Sequence, residues 1–391
     1  MKKLSFILLL VLTVSGLVLA SCAAPASTPA PAPAPTPTPA PATTPAPAPA
    51  PKPTPTPAPA PAPTPIPVKP SAINITWTEQ NADKAWGPVH SEQPWLKKIE
   101  EATGNRVKFE VYWSQTLSKG PDNWNAIKSG VADGGWCFHG YWAGMTPLTD
   151  VLTLPGLPIK SAKQAGGILW QLYKEFPSIQ KQFADVHVLT PWASQPYLLI
   201  STKKQVKTLE DLKGMKIRTT GGGPTDLAKA LGAVPMVMGM PDVYMALQKG
   251  TIDGMAAPFE AIEGFKLYDV VKYYTYMPFC CVYFTYAINN NVWNRLPADI
   301  QKAIDSNCTL KDAEFLSTNW FDTAKEGVLE GVKKGGYEMM EYTLPQEEID
   351  KLIAISKPIQ EDWVKKMEAQ GYTDARKILD RTIELIKTYN P

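Results

Sequence analysis

The sequence predicts an α/β fold of two lobes, joined by crossing strands and braced by one long helix. Strand-like and helix-like segments alternate from residue 73 to residue 142, which indicates a mostly parallel sheet covered by helices. The same order recurs between residues 186 and 257, so we expect a second sheet. A helical apolar stripe that begins at Pro297 is longer than either lobe and should contact both.

The first lobe begins with a strand at 73–79, where apolar and polar residues alternate. The segment 94–104 is amphipathic and ends at a glycine, as helices often do. A second strand at 106–113 and a short helix at 122–130 follow, and a third strand leads into an aromatic loop within 132–142. Ligands of such sheets bind beyond the carboxyl ends of the strands, which places this loop near a candidate site.

The second lobe is predicted from the same alternation. Pro224 at a helix start and Gly232 at its stop define one of its helices. Strands that cross between the two sheets would leave a cleft between the lobes. The predicted strands lie at 186–192, 196–202, 215–220, 234–240 and 251–257, and the predicted helices lie at 209–214, 224–232 and 241–250.

The long helix is predicted from apolar residues that recur every three to five positions. At 1.5 Å per residue it would span on the order of 50 Å, and the sequence also allows a break near Thr309. The resulting lobe boundaries are about 71–194 plus 284–320 for the first lobe, and about 195–283 plus 321–391 for the second. The stripe consists of Ile300, Ile304, Cys308, Ala313, Leu316, Trp320, Ala324, Val328 and Val332.

Residues 1–22 have the layout of a secretory signal, with Lys2 and Lys3 ahead of an apolar stretch. The stretch ends in Leu-Ala-Ser-Cys, which resembles the bacterial lipobox, so Cys22 is the expected site of lipidation. Acyl chains on one cysteine would hold the protein at the outer face of a membrane or in the periplasm. The alternative is ordinary cleavage after a small residue, with an incidental cysteine.

Residues 23–70 consist almost entirely of Ala, Pro and Thr. Such a segment cannot bury a core, and it is expected to form an extended, largely polyproline-II tether of up to roughly 150 Å. A proline-rich recognition segment for another protein is the alternative, but the monotony of the repeat favours a spacer.

Composition excludes several classes of function. The net charge is +2, and no basic block indicates nucleic acid. The spacing of Cys137, Cys280, Cys281 and Cys308 fits no zinc motif, although an oxidising compartment would allow Cys137 to pair with one of the others. The chain has 3 histidines and contains neither H-E-x-x-H nor G-x-S-x-G. We therefore expect no metal, no cofactor and no enzymatic activity.

Three segments carry a resemblance to a known family. They are VLTLPGLPIKSAKQA, KTLEDLKGMKIRTTGGGPTDLAKALGAVPMVMGMPDVYMALQKGTIDGMAAP and INNNVWNRLPADIQKAI. The chain resembles, from about residue 73 to residue 330, the extracytoplasmic solute-binding proteins of TRAP (tripartite ATP-independent periplasmic) transporters. The resemblance implies a periplasmic-binding-protein-like fold with two lobes and a hinge. It also implies that an organic acid is captured in the cleft and delivered to the membrane subunits of a TRAP transporter.

The resemblance implies that Arg218 pairs with the carboxylate of the ligand. A guanidinium presents a planar fork of donors that fits a carboxylate and keeps its charge. Arg218 ends a strand, three glycines follow it, and a helix then begins, which together suit an anion. The alternative is a surface arginine in a weak ion pair. A phosphate loop is excluded by the spacing, because Asp226 stands where the last glycine of G-x-G-x-x-G would be.

The chain also departs from the family. Many relatives carry a second arginine on the strand that here contains Gln195 to Leu199, and many carry Glu-Asn where this chain has Ala256-Ala257 before Pro258. A sugar acid or a small dicarboxylate is therefore less favoured than a ligand with an apolar body. The expected aromatic rim comprises Trp86, Trp136, Phe138, Tyr141, Trp142, Trp192 and Phe259, some of which belong to the core.

Three further residues are candidates for ligand contact. His139 follows a strand end, although a lone histidine is more often structural. Glu79 and Glu260 lie in loops expected near the cleft, where either could bind an ammonium group or a metal-bridged ligand, or could simply be solvated. The rival functions are a surface-anchored ligand sensor and, with less support, an extracytoplasmic enzyme.

Overall fold

The computed structural model describes residues 72–390, so Cys22 and the predicted leader and tether lie outside the described residues. Within 72–390, none of the helices has the length and apolar character needed to cross a membrane. The strands are β1 (Ile73–Thr78), β2 (Val107–Tyr112), β3 (Gly134–Phe138), β4 (Val186–Ala193), β5 (Leu198–Ser201), β6 (Lys216–Thr219), β7 (Val234–Val237), β8 (Gly254–Ala257), β9 (Tyr273–Tyr276), β10 (Tyr283–Asn289) and β11 (Met340–Thr343).

Helices cover both sheets, and short 3-10 and π turns connect several of the elements. The α-helices are α1 (Gln93–Ala102), α2 (Asn123–Ser129), α3 (Ala162–Glu175), α4 (Pro177–Lys181), α5 (Gly223–Ala230), α6 (Val243–Gln248), α7 (Phe259–Gly264), α8 (Asn290–Arg295), α9 (Ala298–Asp305), α10 (Leu310–Ser317), α11 (Ala324–Gly335), α12 (Gln346–Ala369) and α13 (Ala375–Thr388).

The two lobes each contain one sheet, as the sequence predicts. The first lobe has 5 strands in the order β2-β1-β3-β10-β4, and the second has 6 strands in the order β11-β9-β5-β8-β6-β7. Both sheets are mostly parallel, as predicted, but each contains one reversed strand: β10 runs antiparallel to β3 and β4, and β5 runs antiparallel to β8 and β9. Each of these two strands follows a crossing between the lobes, so it enters its sheet from the hinge end.

The hinge consists of two segments that hydrogen-bond to each other. Residues 194–197 join β4 to β5, and residues 277–282 join β9 to β10. The Ser194 N–H donates to the Val282 carbonyl at 2.9 Å, and the Tyr197 N–H donates to the Cys280 carbonyl at 2.9 Å. The carboxyl ends of β3, β6 and β8 and the amino ends of β5 and β10 therefore meet between the lobes.

The lobe-spanning helix is present, but it begins at Leu310 and not near Pro297. The helix is not continuous with α9, because Thr309 caps its N-terminus. The Thr309 N–H and hydroxyl both donate to Asp312 Oδ2, at 2.9 and 2.6 Å, in a capping box. From Leu310 the helix runs through α10, a π turn at Thr318–Asp322 and α11. It packs against α3 and β4 in the first lobe and against α7 in the second.

The C-terminal helices differ from the predicted boundaries, which assigned all of 321–391 to the second lobe. In α12, the Glu348 carboxylate accepts from the Leu209 N–H of the second lobe at 2.6 Å, whereas the Trp363 indole donates to the Pro147 carbonyl of the first lobe at 3.1 Å. The last helix, α13, packs on α3, where Arg381 forms a bidentate pair with Glu175 at 2.8 Å. An apolar face of α13 packs on α3, and the burial of this face stabilises α13 on the first lobe.

The cysteines beyond residue 72 are all buried free thiols: Cys137, Cys280, Cys281 and Cys308. Burial raises the pKa of each of these thiols, which makes them inert parts of the core.

Candidate functional site

A cavity lies between the lobes where the strand ends and the hinge meet. The cavity is narrow, with a volume of about 30 Å³, so the lobes lie close together over it. Most of the wall is aromatic, and four polar side chains also line it. The aromatic residues are Trp136, Phe138, Tyr141, Tyr197, Phe265, Phe284, Trp320 and Phe321, and the polar ones are Gln80, Asn81, Arg218 and Glu260.

Arg218 lies in this cavity, on β6, and only 1% of its surface is exposed. Its Nε donates to the Met238 carbonyl at 3.1 Å, and its Nη1 lies 3.5 Å from the Ala256 carbonyl. Within residues 72–390, Nη2 has no hydrogen-bond partner. Burial lowers the pKa of the guanidinium, and the nearby Tyr197 and Tyr141 raise it. A buried cation held by neutral carbonyls, with an unused donor, is suited to receive an anion.

The glycines after Arg218 bring the two lobes into contact. A Cβ on Gly221 would lie 2.5 Å from the Ala143 side chain, and one on Gly223 would lie 2.0 Å from the Thr153 carbonyl. Gly222, at φ +67°, adopts the left-handed backbone that favours glycine. Gly222, Gly223 and the start of α5 line a separate cavity that also contains Trp363 of α12. The N-terminus of α5 therefore lines this second cavity and not the cavity of Arg218.

Three of the predicted aromatic residues line the Arg218 cavity: Tyr141, and the pair Trp136 and Phe138. Trp136 and Phe138 form one wall together with Phe284, whose ring stacks on Phe138 at 4.9 Å and lies 5.5 Å from Trp136. The Trp136 indole N–H has no hydrogen-bond partner among residues 72–390. Register explains the cluster, because Phe284 on β10 pairs directly with Phe138 on β3.

Trp192 and His139 do not line the cavity. Trp192 is fully buried behind it, stacked on Phe284 at 4.6 Å. His139 is also buried and packs on Tyr283 at 4.8 Å, while its Nε2 lies 2.9 Å from the Thr285 hydroxyl. Burial lowers the pKa of His139 to about 3, so its imidazole is neutral at physiological pH. Trp192 therefore supports the cavity wall from behind, whereas His139 belongs to the core of the first lobe.

Glu79 is buried beside the cavity and positions a residue that lines it. One oxygen, Oε1, accepts from both the backbone N–H and the side-chain amide of Asn81, each at 2.7 Å. Burial and the nearby Glu92 carboxylate raise the pKa of Glu79 well above its usual range. Burial also raises the pKa of Glu92 to about 7, although its hydrogen bond from the Trp77 indole, at 2.8 Å, opposes the shift. Glu79 thus acts through Asn81.

Trp86 and Phe259 lie outside the cavity. The Trp86 N–H donates to Glu263 Oε2 at 2.9 Å and its indole donates to Thr323 at 3.1 Å, so it joins the first lobe to α7 and to the spanning helix. Phe259 lines a different cavity beside the hinge, where the Lys325 ammonium lies 5.5 Å from the centre of its ring.

Glu260 is the predicted acid that does line the cavity, and it is 7% exposed. Burial, and then the charge of Glu263, raise the pKa of Glu260 to about 8, against a hydrogen bond from Trp320. Its carboxyl group is therefore mostly neutral at pH 7. Among residues 72–390, no group of three or more His, Cys, Asp and Glu side chains is arranged to hold a metal ion.

Several cavity residues were not predicted as site residues. Trp320 and Phe321 lie in the π turn of the spanning helix, and the sequence pattern places Trp320 only in an apolar stripe. Tyr197 lies in the hinge. The only sequence signal there was that this chain lacks the second arginine that many relatives carry on this strand. Gln80 accepts a hydrogen bond from the Tyr141 hydroxyl at 2.7 Å, and the signal that could have found it was its place next to Glu79.

Comparison with known proteins agrees with this fold. A similar solved structure is a TRAP solute-binding protein from Rhodoferax ferrireducens T118 in complex with copurified benzoate. It is 26% identical, has a TM-score of 0.75, and the match covers 81% of this chain and 98% of that one. A TRAP periplasmic solute-binding protein from Desulfovibrio salexigens is 28% identical, with a TM-score of 0.69 and coverage of 82% and 97%. The two-lobed α/β fold is thereby confirmed.

Among characterised relatives, the monocarboxylate 2-oxoacid-binding periplasmic protein all3028 of Nostoc is 26% identical over 283 residues, which is 69% of this chain and 74% of that protein. The 2,3-diketo-L-gulonate-binding periplasmic protein YiaO of Escherichia coli K12 is 24% identical over 249 residues, or 62% and 73% of the two chains. The family model described as bacterial extracellular solute-binding protein, family 7, matches residues 88–368. The chain therefore belongs to family 7 of the bacterial extracellular solute-binding proteins, the family of TRAP solute-binding proteins.

Proposed function

We propose that this solute-binding protein takes an aromatic monocarboxylate into the Arg218 cavity and releases it unchanged to the membrane subunits of a TRAP transporter. Family membership supports an extracytoplasmic receptor for organic acids. The observation that carries the ligand class is the buried Arg218 guanidinium, whose Nη2 is unpaired among residues 72–390 in a largely aromatic cavity.

A single carboxylate is favoured by the charges of the cavity. Arg218 is the only Lys, Arg or His among the described residues that line it. A second carboxylate on the ligand would be desolvated without a cation, which costs several kcal/mol. It would also face the Glu260 carboxyl group. The ligand should therefore present one carboxylate to Arg218 and an uncharged body to the remaining walls.

An aromatic body is favoured by the walls themselves. Phe138 and Phe284 present stacked rings, and Trp320 and Phe321 face the cavity from the spanning helix. Rings of this kind bind another ring by offset or edge contacts worth about 0.5–1.5 kcal/mol beyond burial. The Rhodoferax neighbour, which copurified with benzoate, supports the same class of ligand.

A thermal-shift and calorimetric screen tests this proposal. Benzoate, phenylacetate and mandelate should each raise the melting temperature, and ligand at 100 times its Kd should add about 2.7 kcal/mol of stability. Galactonate, succinate and benzyl alcohol serve as controls for a sugar acid, a dicarboxylate and a neutral aromatic compound. Chromatography of the released ligand should show it chemically unchanged. Stabilisation by galactonate but by none of the aromatic acids would contradict the proposed ligand class.

We also propose that lipidation of Cys22 anchors the receptor and that residues 23–70 tether it, a hypothesis that rests on the lipobox-like Leu-Ala-Ser-Cys. Cys22→Ser should yield a receptor that still binds its ligand but no longer sediments with membranes. Ser21→Ala, which keeps a small residue before the cysteine, is a matched control that should stay with the membrane. Membrane retention of Cys22→Ser would point to another means of attachment.

A further inference from the structure

The Arg218 cavity contains a second ionisable group besides the arginine. Glu260 follows β8 and Pro258 as the second residue of α7, and its carboxyl group lines the same cavity while being 7% exposed. Within residues 72–390, no Lys, Arg or His forms an ion pair with Glu260. After burial, the charge of Glu263 has the largest effect on the pKa of Glu260, which it raises. A buried acid without a cation at a ligand cavity is costly, so its presence there calls for a partner.

Glu260 and Arg218 face the same space from different sides. Tyr141 and Tyr197 line the cavity together with both groups. Burial raises the pKa of each phenol, an effect that Arg218 opposes and Glu260 reinforces. A ligand held at Arg218 therefore shares this cavity with Glu260. Trp320, on the spanning helix, lines the same cavity.

The helix that carries Glu260, α7, is held to the first lobe at Glu263, one turn after Glu260. Glu263 accepts a hydrogen bond from the Trp86 backbone N–H of the first lobe at 2.9 Å and pairs with Lys266 at 2.5 Å. Since Glu260 and Glu263 are three residues apart, the contact between the lobes also sets where the Glu260 carboxyl group lies. That group is thus positioned by the closed arrangement of the two lobes.

We infer that Glu260 determines specificity by hydrogen-bonding a hydroxyl group on the aromatic acid that Arg218 holds, so that hydroxylated aromatic acids are preferred ligands. This inference rests on the proposed function. A neutral carboxyl group can both donate and accept a hydrogen bond, and a hydroxyl group can match either role. An ammonium group would need an ionised Glu260, whereas burial and the neighbouring Glu263 both favour the neutral acid.

Calorimetry on wild type, Glu260→Gln and Glu260→Met tests the inference with benzoate and the 2-, 3- and 4-hydroxybenzoates. At least one hydroxybenzoate should bind wild type roughly ten-fold more tightly than benzoate, the effect of one buried hydrogen bond. Glu260→Met should reduce that preference to less than about two-fold. Glu260→Gln should keep part of the preference, because an amide also donates and accepts.

Glu263→Gln is the matched control, since it lies on the same helix but outside the cavity; it should shift the Kd of all four acids by a common factor. A hydroxyl preference that survives in Glu260→Met would overturn the inference. So would tighter binding of 3-(aminomethyl)benzoate than of every hydroxybenzoate, because an ammonium group would then be the preferred partner. If no aromatic acid bound to wild type, the proposed function would fail and the inference with it.

Discussion

At the scale of single residues, Arg218 is the strongest test of the site. Arg218→Ala leaves a ligand carboxylate desolvated and unpaired, so we expect a loss of about 2–5 kcal/mol, or roughly thirty- to several-thousand-fold in Kd for benzoate. Arg218→Lys keeps the charge without the planar fork and should recover only part of the affinity. Titration calorimetry measures both variants.

The ligand-free stability separates a binding role from a structural one. Two neutral carbonyls are the hydrogen-bond acceptors of Arg218 in the described part of the chain, and burial opposes its charge. Arg218→Ala should therefore melt without ligand at the wild-type temperature or above it. Unfolding of this variant together with retained affinity would make Arg218 a structural residue.

Glu260 predicts a pH dependence of binding. Because its pKa is raised to about 8, its carboxyl group is neutral at pH 7 and becomes an anion as the pH rises through 8. A negative charge in the cavity opposes a bound carboxylate, so the affinity for benzoate should fall between about pH 7 and 9. Glu260→Gln should bind benzoate with no such fall, and an identical pH profile in both proteins would count against this role for Glu260.

At the scale of elements, the contact of α7 with Trp86 should control closure of the cleft. Glu263→Ala removes the acceptor of the Trp86 N–H, and its ionised oxygen makes this bond worth about 1.5–3 kcal/mol. If the bond forms only when the lobes close, Kd for all ligands should rise roughly ten- to a hundred-fold, with the change mainly in the dissociation rate.

Stopped-flow fluorescence, with the tryptophans of the cavity as reporters, measures these rates. Lys266→Ala is the matched control, because it removes the exposed partner of Glu263 but leaves the bond to Trp86; exposed pairs of this kind contribute little. Equal effects of the two variants would show that the charge pair, and not the contact between the lobes, matters.

At the scale of the whole molecule, buried acids should make the ligand-free domain less stable as pH rises. Burial raises the pKa of Asp150 to about 6, of Glu92 to about 7 and of Glu260 to about 8. In the unfolded chain these groups ionise near pH 4, so between about pH 4 and 8 the folded state binds more protons. These acids should therefore lower the free energy of unfolding across this interval, against the smaller opposing contribution of His139, whose pKa is lowered to about 3. Denaturant titrations at pH 5 and 8 can measure the change.

Glu92→Gln isolates one of these contributions. The amide oxygen can still accept from the Trp77 indole, but the group no longer ionises. At pH 8 the variant should be more stable than wild type by on the order of 1 kcal/mol, and at pH 5 the difference should nearly vanish. Exposed Glu330→Gln should have no effect at either pH. A destabilised Glu92→Gln at pH 8 would show that the charged form is needed for folding.

The sequence by itself determined the elements and the family. Alternating strands and helices are local patterns, so the order of both lobes and the position of Arg218 on β6 could be predicted with small errors at the ends. Trp136 and Phe138 followed from the same reasoning, because the end of a strand in a sheet of this kind borders the ligand cleft. The long helix was also visible, as was the option of a break near Thr309.

Tertiary structure alone decided which side chains meet. In the sequence, Glu79 and Glu260 are both acids in loops expected near the cleft. In the structure, the Glu79 carboxyl group accepts hydrogen bonds from Asn81 in the core, whereas Glu260 lines the cavity. Tyr197, Trp320 and Phe321 reach the same cavity because the hinge and a π turn bring distant segments together. Likewise α13 packs on the first lobe, where its apolar face finds α3. Sequence periodicity fixes which face of an element is apolar, but the partner of that face is set by contacts between residues far apart in the chain.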